Sequence, residues 1–180
     1  MSTISLSNLE YISREDLASR IKSSQSSSTS SEQPSSSTLP PNIAVIDVRD
    51  SDHVGGHIRG STWLPSSELD YKTPELIRTM KDKEVVVFHC ALSQQRGPSA
   101  ALRYLREKER LDGLSGGVES KGDVVEEGVG GKGGEGKGGE GGKKQKVLVL
   151  KGGFTEWQEK YGADKELTEG WKRDIWEWGT

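Results

Sequence analysis

Residues 84–99 read Glu84-Val85-Val86-Val87-Phe88-His89-Cys90-Ala91-Leu92-Ser93-Gln94-Gln95-Arg96-Gly97-Pro98-Ser99. The stretch from Glu84 to His89 is the strongest strand signal in the chain. It is apolar without alternation, as a strand buried on both faces of a helix-covered parallel sheet must be. Gly97-Pro98 opens a helix, because a proline in the first turn gives up only a donor that lacks an intrahelical partner. That helix is predicted over 98–110, with Ala101, Leu102 and Leu105 along one side. Between strand and helix stand Cys90 and Arg96, with five residues separating them.

Outward from this stretch, strand and helix signals alternate. On the N-terminal side, Ser13-Arg14-Glu15-Asp16 resembles a capping box, with Leu17, Ala18 and Ile21 as the apolar stripe of a short helix behind it. Ile43 to Val48 is a second buried strand, ending in charge, and His57 to Leu64 is a weaker strand closed by Pro65. Thr73, as N-cap, and Pro74, in the first turn, predict a helix beginning there. On the C-terminal side, Lys146 to Leu150 is the last strand, followed by Gly152-Gly153 and a helix through Trp157. This rhythm defines an α/β fold, a central parallel sheet with helices on both faces. Ligands of such sheets bind at the carboxyl ends of the strands, where Cys90 falls.

Only 31% of the 180 residues are hydrophobic, too few for a packed core throughout. Two stretches account for the deficit. Residues 23–41 are mostly Ser with Thr and Pro, and their one aliphatic residue is Leu39. Residues 112–145 hold 14 of the 23 glycines, interleaved with Lys and Glu. Neither buries enough apolar surface to offset the entropy of ordering it, so both are expected to be disordered low-complexity insertions. The domain thus divides into an N-terminal part at 1–22, an insertion at 23–41, a core with the reactive loop at 42–111, a second insertion at 112–145 and a C-terminal part at 146–180. A net charge of −3 supplies no electrostatic ground for binding nucleic acid or an anionic membrane. No apolar run approaches the roughly 20 residues a membrane span needs, and Met1-Ser2-Thr3-Ile4-Ser5 lacks the form of a secretory signal. A single cysteine excludes an internal disulfide and a multi-cysteine zinc site, and points to the cytoplasm and/or nucleus.

The chemistry lies in the loop. A turn from strand to helix can curl so that Ala91, Leu92, Ser93, Gln94 and Gln95 direct backbone N–H groups inward as an anion nest. The helix N-terminus adds partial positive charge, and the Arg96 guanidinium offers a fork of donors matching a tetrahedral oxyanion. The same field favours the thiolate of Cys90, the form that acts as nucleophile.

The segment from His89-Cys90 to Arg96 resembles the active-site loop of rhodanese-fold cysteine phosphatases, above all the small fungal and plant relatives of the cell-division-cycle dual-specificity group, some of which are arsenate reductases. Ile46-Asp47-Val48-Arg49, Gly56-His57-Ile58-Arg59-Gly60-Ser61 and Leu150-Lys151-Gly152-Gly153-Phe154 with Trp157 resemble three further segments of rhodanese modules. The resemblance implies a rhodanese-like sheet, Cys90 as nucleophile, Arg96 as oxyanion clamp, and supporting roles for Asp47, which holds the loop, and for His89, which bonds backbone. Within the family, four residues between Cys and Arg accompany sulfur transfer and five accompany phosphatases and arsenate reductases. This chain has five. Its departures are Ala91 and Gln95, where the cell-cycle phosphatases carry glutamates, and Gly97, where many tyrosine phosphatases carry Ser or Thr. The general acid is therefore without a candidate, which favours aryl phosphates, whose leaving groups need protonation least.

The reading is a protein tyrosine or dual-specificity phosphatase working through a cysteinyl phosphate, on a phosphoprotein or small oxyanion and without a cofactor. The alternative is an arsenate reductase, which with one cysteine would depend on glutathione and glutaredoxin. A non-catalytic phosphate-binding module and a sulfurtransferase stand behind these two. His53 and His57, four residues apart, lack a third ligand and are not read as a metal pair. Trp171, Trp176 and Trp178 are read as packing on a sheet edge or the last helix, with a partner surface as the alternative.

Overall fold

A computed structural model describes residues 4–25, 39–115 and 144–178. Its elements are β1 (Glu10–Ile12), α1 (Arg14–Gln25), β2 (Ile43–Asp47), β3 (His57–Ile58), β4 (Thr62–Trp63), α2 (Leu69–Thr79), β5 (Val85–His89), α3 (Arg96–Ser115), β6 (Lys146–Leu150), α4 (Gly153–Tyr161), β7 (Thr168–Glu169) and α5 (Arg173–Trp178). The main sheet has five strands in the order β1-β6-β5-β2-β4, parallel at every pairing. Both central strands, β2 and β5, are buried along their whole length. Successive side chains alternate between two cores. Ala44, Ile46, Val86 and Phe88 pack with Leu76 and Ile77 of α2 and Ala101 and Tyr104 of α3. Ile43, Val45, Val85 and Val87 pack with Leu17 and Ile21 of α1 and Phe154 and Trp157 of α4. The fold is the α/β sheet, covered on both faces, that the aliphatic runs predict.

Register positions the site. Asp47 lies opposite His89 across β2 and β5, and Val48 N–H donates to the His89 carbonyl at 2.9 Å. The chain segments that leave β2 and β5 therefore emerge side by side. Asp47 also lies opposite Trp63 of β4, and Leu64 N–H donates to its carbonyl at 2.8 Å, so a third segment joins the same edge.

Four local expectations are corrected. His57 to Leu64 is not one strand, because β3 pairs antiparallel with β7 while β4 joins the main sheet. The helix expected from Thr73 begins at Leu69 and carries Pro74 inside it. A proline there removes one hydrogen bond and costs about 3 kcal/mol. Of the helix's buried residues, Leu76 and Ile77 lie in it from either start and Leu69 belongs to the added turn; burying Leu69, at roughly 1.5–3 kcal/mol, offsets much of that cost. Thr73 does not cap; its hydroxyl donates to the Leu69 carbonyl one turn back. Similarly, α3 begins at Arg96, two residues before Pro98.

The edges of the low-complexity stretches are also ordered. α1 runs to Gln25 and α3 to Ser115. Leu39 packs against the α1–α4 core, and Gln145 bonds the Tyr104 hydroxyl and the Met80 and Lys83 carbonyls at 2.7–2.8 Å. The remainder, 26–38 and 116–143, lies outside the described residues. At the other end, Trp176 packs on Phe154 and donates to the Gly55 carbonyl, Trp171 donates to Gln158, and Trp178 stays exposed.

Candidate active site

Cys90 is the first residue beyond β5 and is buried, 3% exposed, at the base of the loop. Ser93 turns the chain back. Its φ of 53° makes it the sole non-glycine residue with positive φ among the described residues, a conformation that costs about 1–3 kcal/mol and collects at functional sites. The turn brings Ser93 N–H to Cys90 Sγ at 3.2 Å, while the Ser93 hydroxyl accepts from Cys90 N–H at 3.4 Å. Gly97 follows from this packing. A Cβ there would stand 3.3 Å from Ser93 Oγ and 3.4 Å from Cys90 N, so the Ser93 hydroxyl fills the space beside residue 97. Leu92, Gln94 and Gln95 form the exposed outer part of the loop, and Ala91 is half-buried.

A second element holds the loop from behind. The first N–H groups of α4 have no intrahelical partner; those of Phe154 and Thr155 donate to the Cys90 and Ala91 carbonyls at 3.0 and 2.9 Å. Gly153 makes this approach possible. Its φ is 62°, and a Cβ would lie 2.5 Å from the Ala91 carbonyl oxygen and 2.6 Å from that of Cys90.

His89 also bonds the Cys90 carbonyl, through Nδ1 at 3.1 Å. A carbonyl only accepts, so Nδ1 carries the proton. Nε2 is then a lone pair facing Asp47 Oδ2 at 3.9 Å, and it is a buried atom without a hydrogen-bond partner. Burial pushes the His89 pKa down, against the pull of Asp47, and keeps the ring neutral. Burial likewise pushes Asp47 up, but the pull of His89, once that ring is protonated, and the hydrogen bonds and charge of Arg49 hold the carboxyl below the usual range. Since His89 is neutral, Arg49 is the charge that matters. It grips Asp47 through Nη2 at 2.6 Å and Nε at 3.0 Å, donates to the Gly56 carbonyl at 2.8 Å and lies 4.3 Å over the Phe154 ring. Asp47 thus supports the site through Arg49 and the turn at 54–56, and not by bonding the Cys90 loop itself.

Arg96 opens α3 at the rim, its side chain 34% exposed. Nη1 bonds Asp52 Oδ1 at 2.7 Å and Asp50 Oδ2 at 3.3 Å, and Nη2 bonds Asp52 Oδ2 at 2.5 Å. The hydrogen bond from Arg96 holds the Asp52 carboxyl down at about 2, and the two carboxylates raise the guanidinium further above its usual range. Neither aspartate is singled out by a sequence motif. The available signal is topological, since the residues after β2 must meet those after β5, its neighbour in the sheet. His53 and His57 do not converge on a ligand: His53 Nε2 is 3.4 Å from Asp47 and His57 Nε2 is 3.1 Å from Glu169. Among the described residues no group of three His, Cys, Asp or Glu side chains gathers to hold a metal. Beside the site, a cavity of about 310 Å³ is lined by Asp50, His53, Trp63 and Pro65 among others, and so shares Asp50 with the Arg96 contacts.

A nucleophile-type side chain, a curled loop and a guanidinium on one strand-to-helix turn form a site suited to a tetrahedral anion. Comparison with known proteins shows the family and fold to which this loop belongs. Residues 36–160 match the rhodanese-like domain family. The chain is 33% identical over 150 residues to the Saccharomyces cerevisiae protein named CDC25-like phosphatase YCH1, an alignment spanning 77% of this chain and 81% of that one. It is 50% identical over 66 residues to arsenate reductase 2.2 of Oryza sativa subsp. japonica, covering 36% of this chain and 51% of the relative. The crystal structure of Saccharomyces cerevisiae Ygr203w, described as a homolog of single-domain rhodanese and the Cdc25 phosphatase catalytic domain, superposes with a TM-score of 0.62. That match has 26% identity and covers 100% of this chain and 99% of that one.

Proposed function

This chain belongs to the rhodanese-like domain family, and we propose that within it the protein is a phosphatase of the tyrosine or dual-specificity type. The observation that carries the reading is the five-residue loop from Cys90 to Arg96, wound so that Ser93 N–H reaches the Cys90 sulfur. A phosphate monoester sits in the loop and the Cys90 thiolate attacks phosphorus. An S–P bond forms as the P–O bond to the leaving group breaks, and the leaving oxygen departs with that electron pair. Water then attacks phosphorus, releasing inorganic phosphate and the thiolate. Asp52, with its carboxyl held at about 2, is ionised at neutral pH and has no proton to give. Aryl phosphates, with phosphotyrosine among them, are therefore the favoured class, since their leaving groups depart with least help.

A second reading, arsenate reduction, is supported by the 50% identity to a rice arsenate reductase across 66 residues. Cys90 would attack arsenic in the same loop. With one cysteine in the chain, the two electrons that take As(V) to As(III) would come from Cys90 and an external thiol such as glutathione, with glutaredoxin reducing the mixed disulfide left behind.

The test is aryl phosphate turnover beside glutathione-dependent arsenate reduction, on wild type and Cys90→Ser. Phosphate release by wild type that falls to background in the variant is the expected result. Full hydrolysis by Cys90→Ser sinks both the nucleophile and the phosphatase reading. Thiol-dependent arsenate reduction without phosphate release replaces the first reading with the second.

A further inference from the structure

We propose that Asp52, backed by Asp50, is a positioning residue that holds Arg96 by one edge so that the other edge is presented to the oxyanion. The proposal rests on the reading of Arg96 as oxyanion clamp. A guanidinium has five N–H donors in a fixed plane. Here Nη1 donates to both Asp52 Oδ1 and Asp50 Oδ2, and Nη2 donates to Asp52 Oδ2. The donors outside these contacts are Nε–H and the second Nη2–H. They lie on a single edge and form a fork of the spacing that matches two oxygens of a tetrahedral anion. The acidic contacts therefore do not compete with substrate for donors; they fix the plane in which the remaining pair points.

The aspartates are themselves anchored. Asp52 Oδ1 accepts from Asp50 N–H at 2.9 Å. Asp50 accepts from the Ser66 hydroxyl at 2.5 Å and from Ser67 N–H at 3.2 Å, which ties it to the segment after β4. Ser66 N–H in turn donates to the Val48 carbonyl at the end of β2. A chain of bonds thus runs from the sheet edge through Asp50 and Asp52 to Arg96. Asp52 and Arg96 are 40% and 34% exposed, and an ion pair that open contributes little to stability. Its value lies in geometry, because a misplaced clamp is costly to rate even when the fold is intact.

The experiment measures kcat and KM across aryl phosphates of graded leaving-group basicity, orthovanadate affinity by calorimetry, and thermal midpoint. The proteins are wild type, Asp52→Asn, Asp52→Glu and Asp50→Asn, with Asp52→Asn repeated on an Arg96→Lys background. Asp52→Asn is expected to keep its thermal midpoint and to lose about 10–100-fold in kcat/KM, alike for every leaving group, with weaker vanadate binding. Asp52→Glu is expected to recover part of that loss. On the Arg96→Lys background, Asp52→Asn should change little, because an ammonium has no fork to hold. Additive losses on both backgrounds overturn the proposal. So does a loss confined to poor leaving groups, which would make Asp52 a proton donor, and so does a gain in activity, which would make the pair a latch on Arg96. Wild type that binds vanadate but releases no phosphate sinks the phosphatase reading alone, since the vanadate affinities still decide this one. Wild type that binds no vanadate overturns the proposal as well.

Discussion

His89 and Asp47 are neighbours in register and share a buried space, yet they are kept apart in charge. His89 spends its one proton on the Cys90 carbonyl, and Asp47 takes its cation from Arg49. Removing Arg49 would leave a carboxylate buried without its cation, a change that typically costs about 3–5 kcal/mol. His89 makes stability depend on pH in a defined direction. Its folded pKa lies below the ordinary histidine value because of burial, so below about pH 6.5 the unfolded chain binds a proton that the folded chain refuses. Stability is complete above that pH and declines as pH falls, by at most about 1.4 kcal/mol per pH unit for this one site. His53 is also pushed down by burial and contributes in the same direction, but it is less buried. Thermal midpoints between pH 8 and pH 5 should therefore slope downward in wild type and flatten in His89→Asn. An unchanged slope in the variant would assign the effect elsewhere. The residue Asp47 acts in a separate window, near pH 4 and below, since its folded pKa is depressed.

At the scale of elements, α4 has two tasks that meet in one turn. Its body buries Phe154 and Trp157 completely, with the Trp157 indole N–H donating to the Thr168 hydroxyl at 3.0 Å. Its first N–H groups hold the carbonyls of Cys90 and Ala91, so the core anchors the loop. Gly153 is the contact point, and Gly153→Ala tests the arrangement. The left-handed backbone alone costs about 1–3 kcal/mol with a side chain, and the added methyl meets two backbone oxygens that have no flexible end to move aside. The variant should unfold at lower temperature and lose activity beyond what its folded fraction explains. Stability loss with full specific activity would show that the contact shapes the fold and not the loop. Element boundaries carry a related lesson. The Thr73-Pro74 pair has the form of a helix start, and it lies inside α2 because the buried Leu69 extends the helix backwards.

For the whole molecule, the described residues form a five-stranded parallel sheet between two cores, with β3 and β7 paired apart from it, and the segment 116–143 lies between α3 and β6 in sequence. The described residues on either side of it are near one another, since Asp112 of α3 and Lys144 line one cavity. Gln145 bonds Tyr104, and Ser115 is eleven residues further along α3, about 16 Å at the helical rise. A linker of about eight Gly and Ser residues reaches up to about 26 Å and so spans that gap. Replacing 116–143 by such a linker should preserve turnover and raise stability by about 1 kcal/mol, because each halving of a loop recovers about 0.6 kcal/mol of closure entropy. Loss of turnover in the shortened protein would assign the segment a part in activity. The aliphatic runs 43–48, 84–89 and 146–150 determined the three inner strands by themselves, since only strands covered on both faces make such runs favourable, whereas the short edge strands β1 and β4 carry no such run. The spacing of Cys90 and Arg96 on a strand-to-helix turn likewise marked the candidate site, because the proposed chemistry is local to one loop. Tertiary structure alone decided that Asp50 and Asp52 grip Arg96, that Asp47 acts through Arg49, and that α4 braces the loop. The first and last of these contacts join segments distant in sequence, and Arg49, only two residues from Asp47, is set in place by the Gly56 carbonyl and the Phe154 ring; all three depend on strand order and register, which no local pattern of residues encodes.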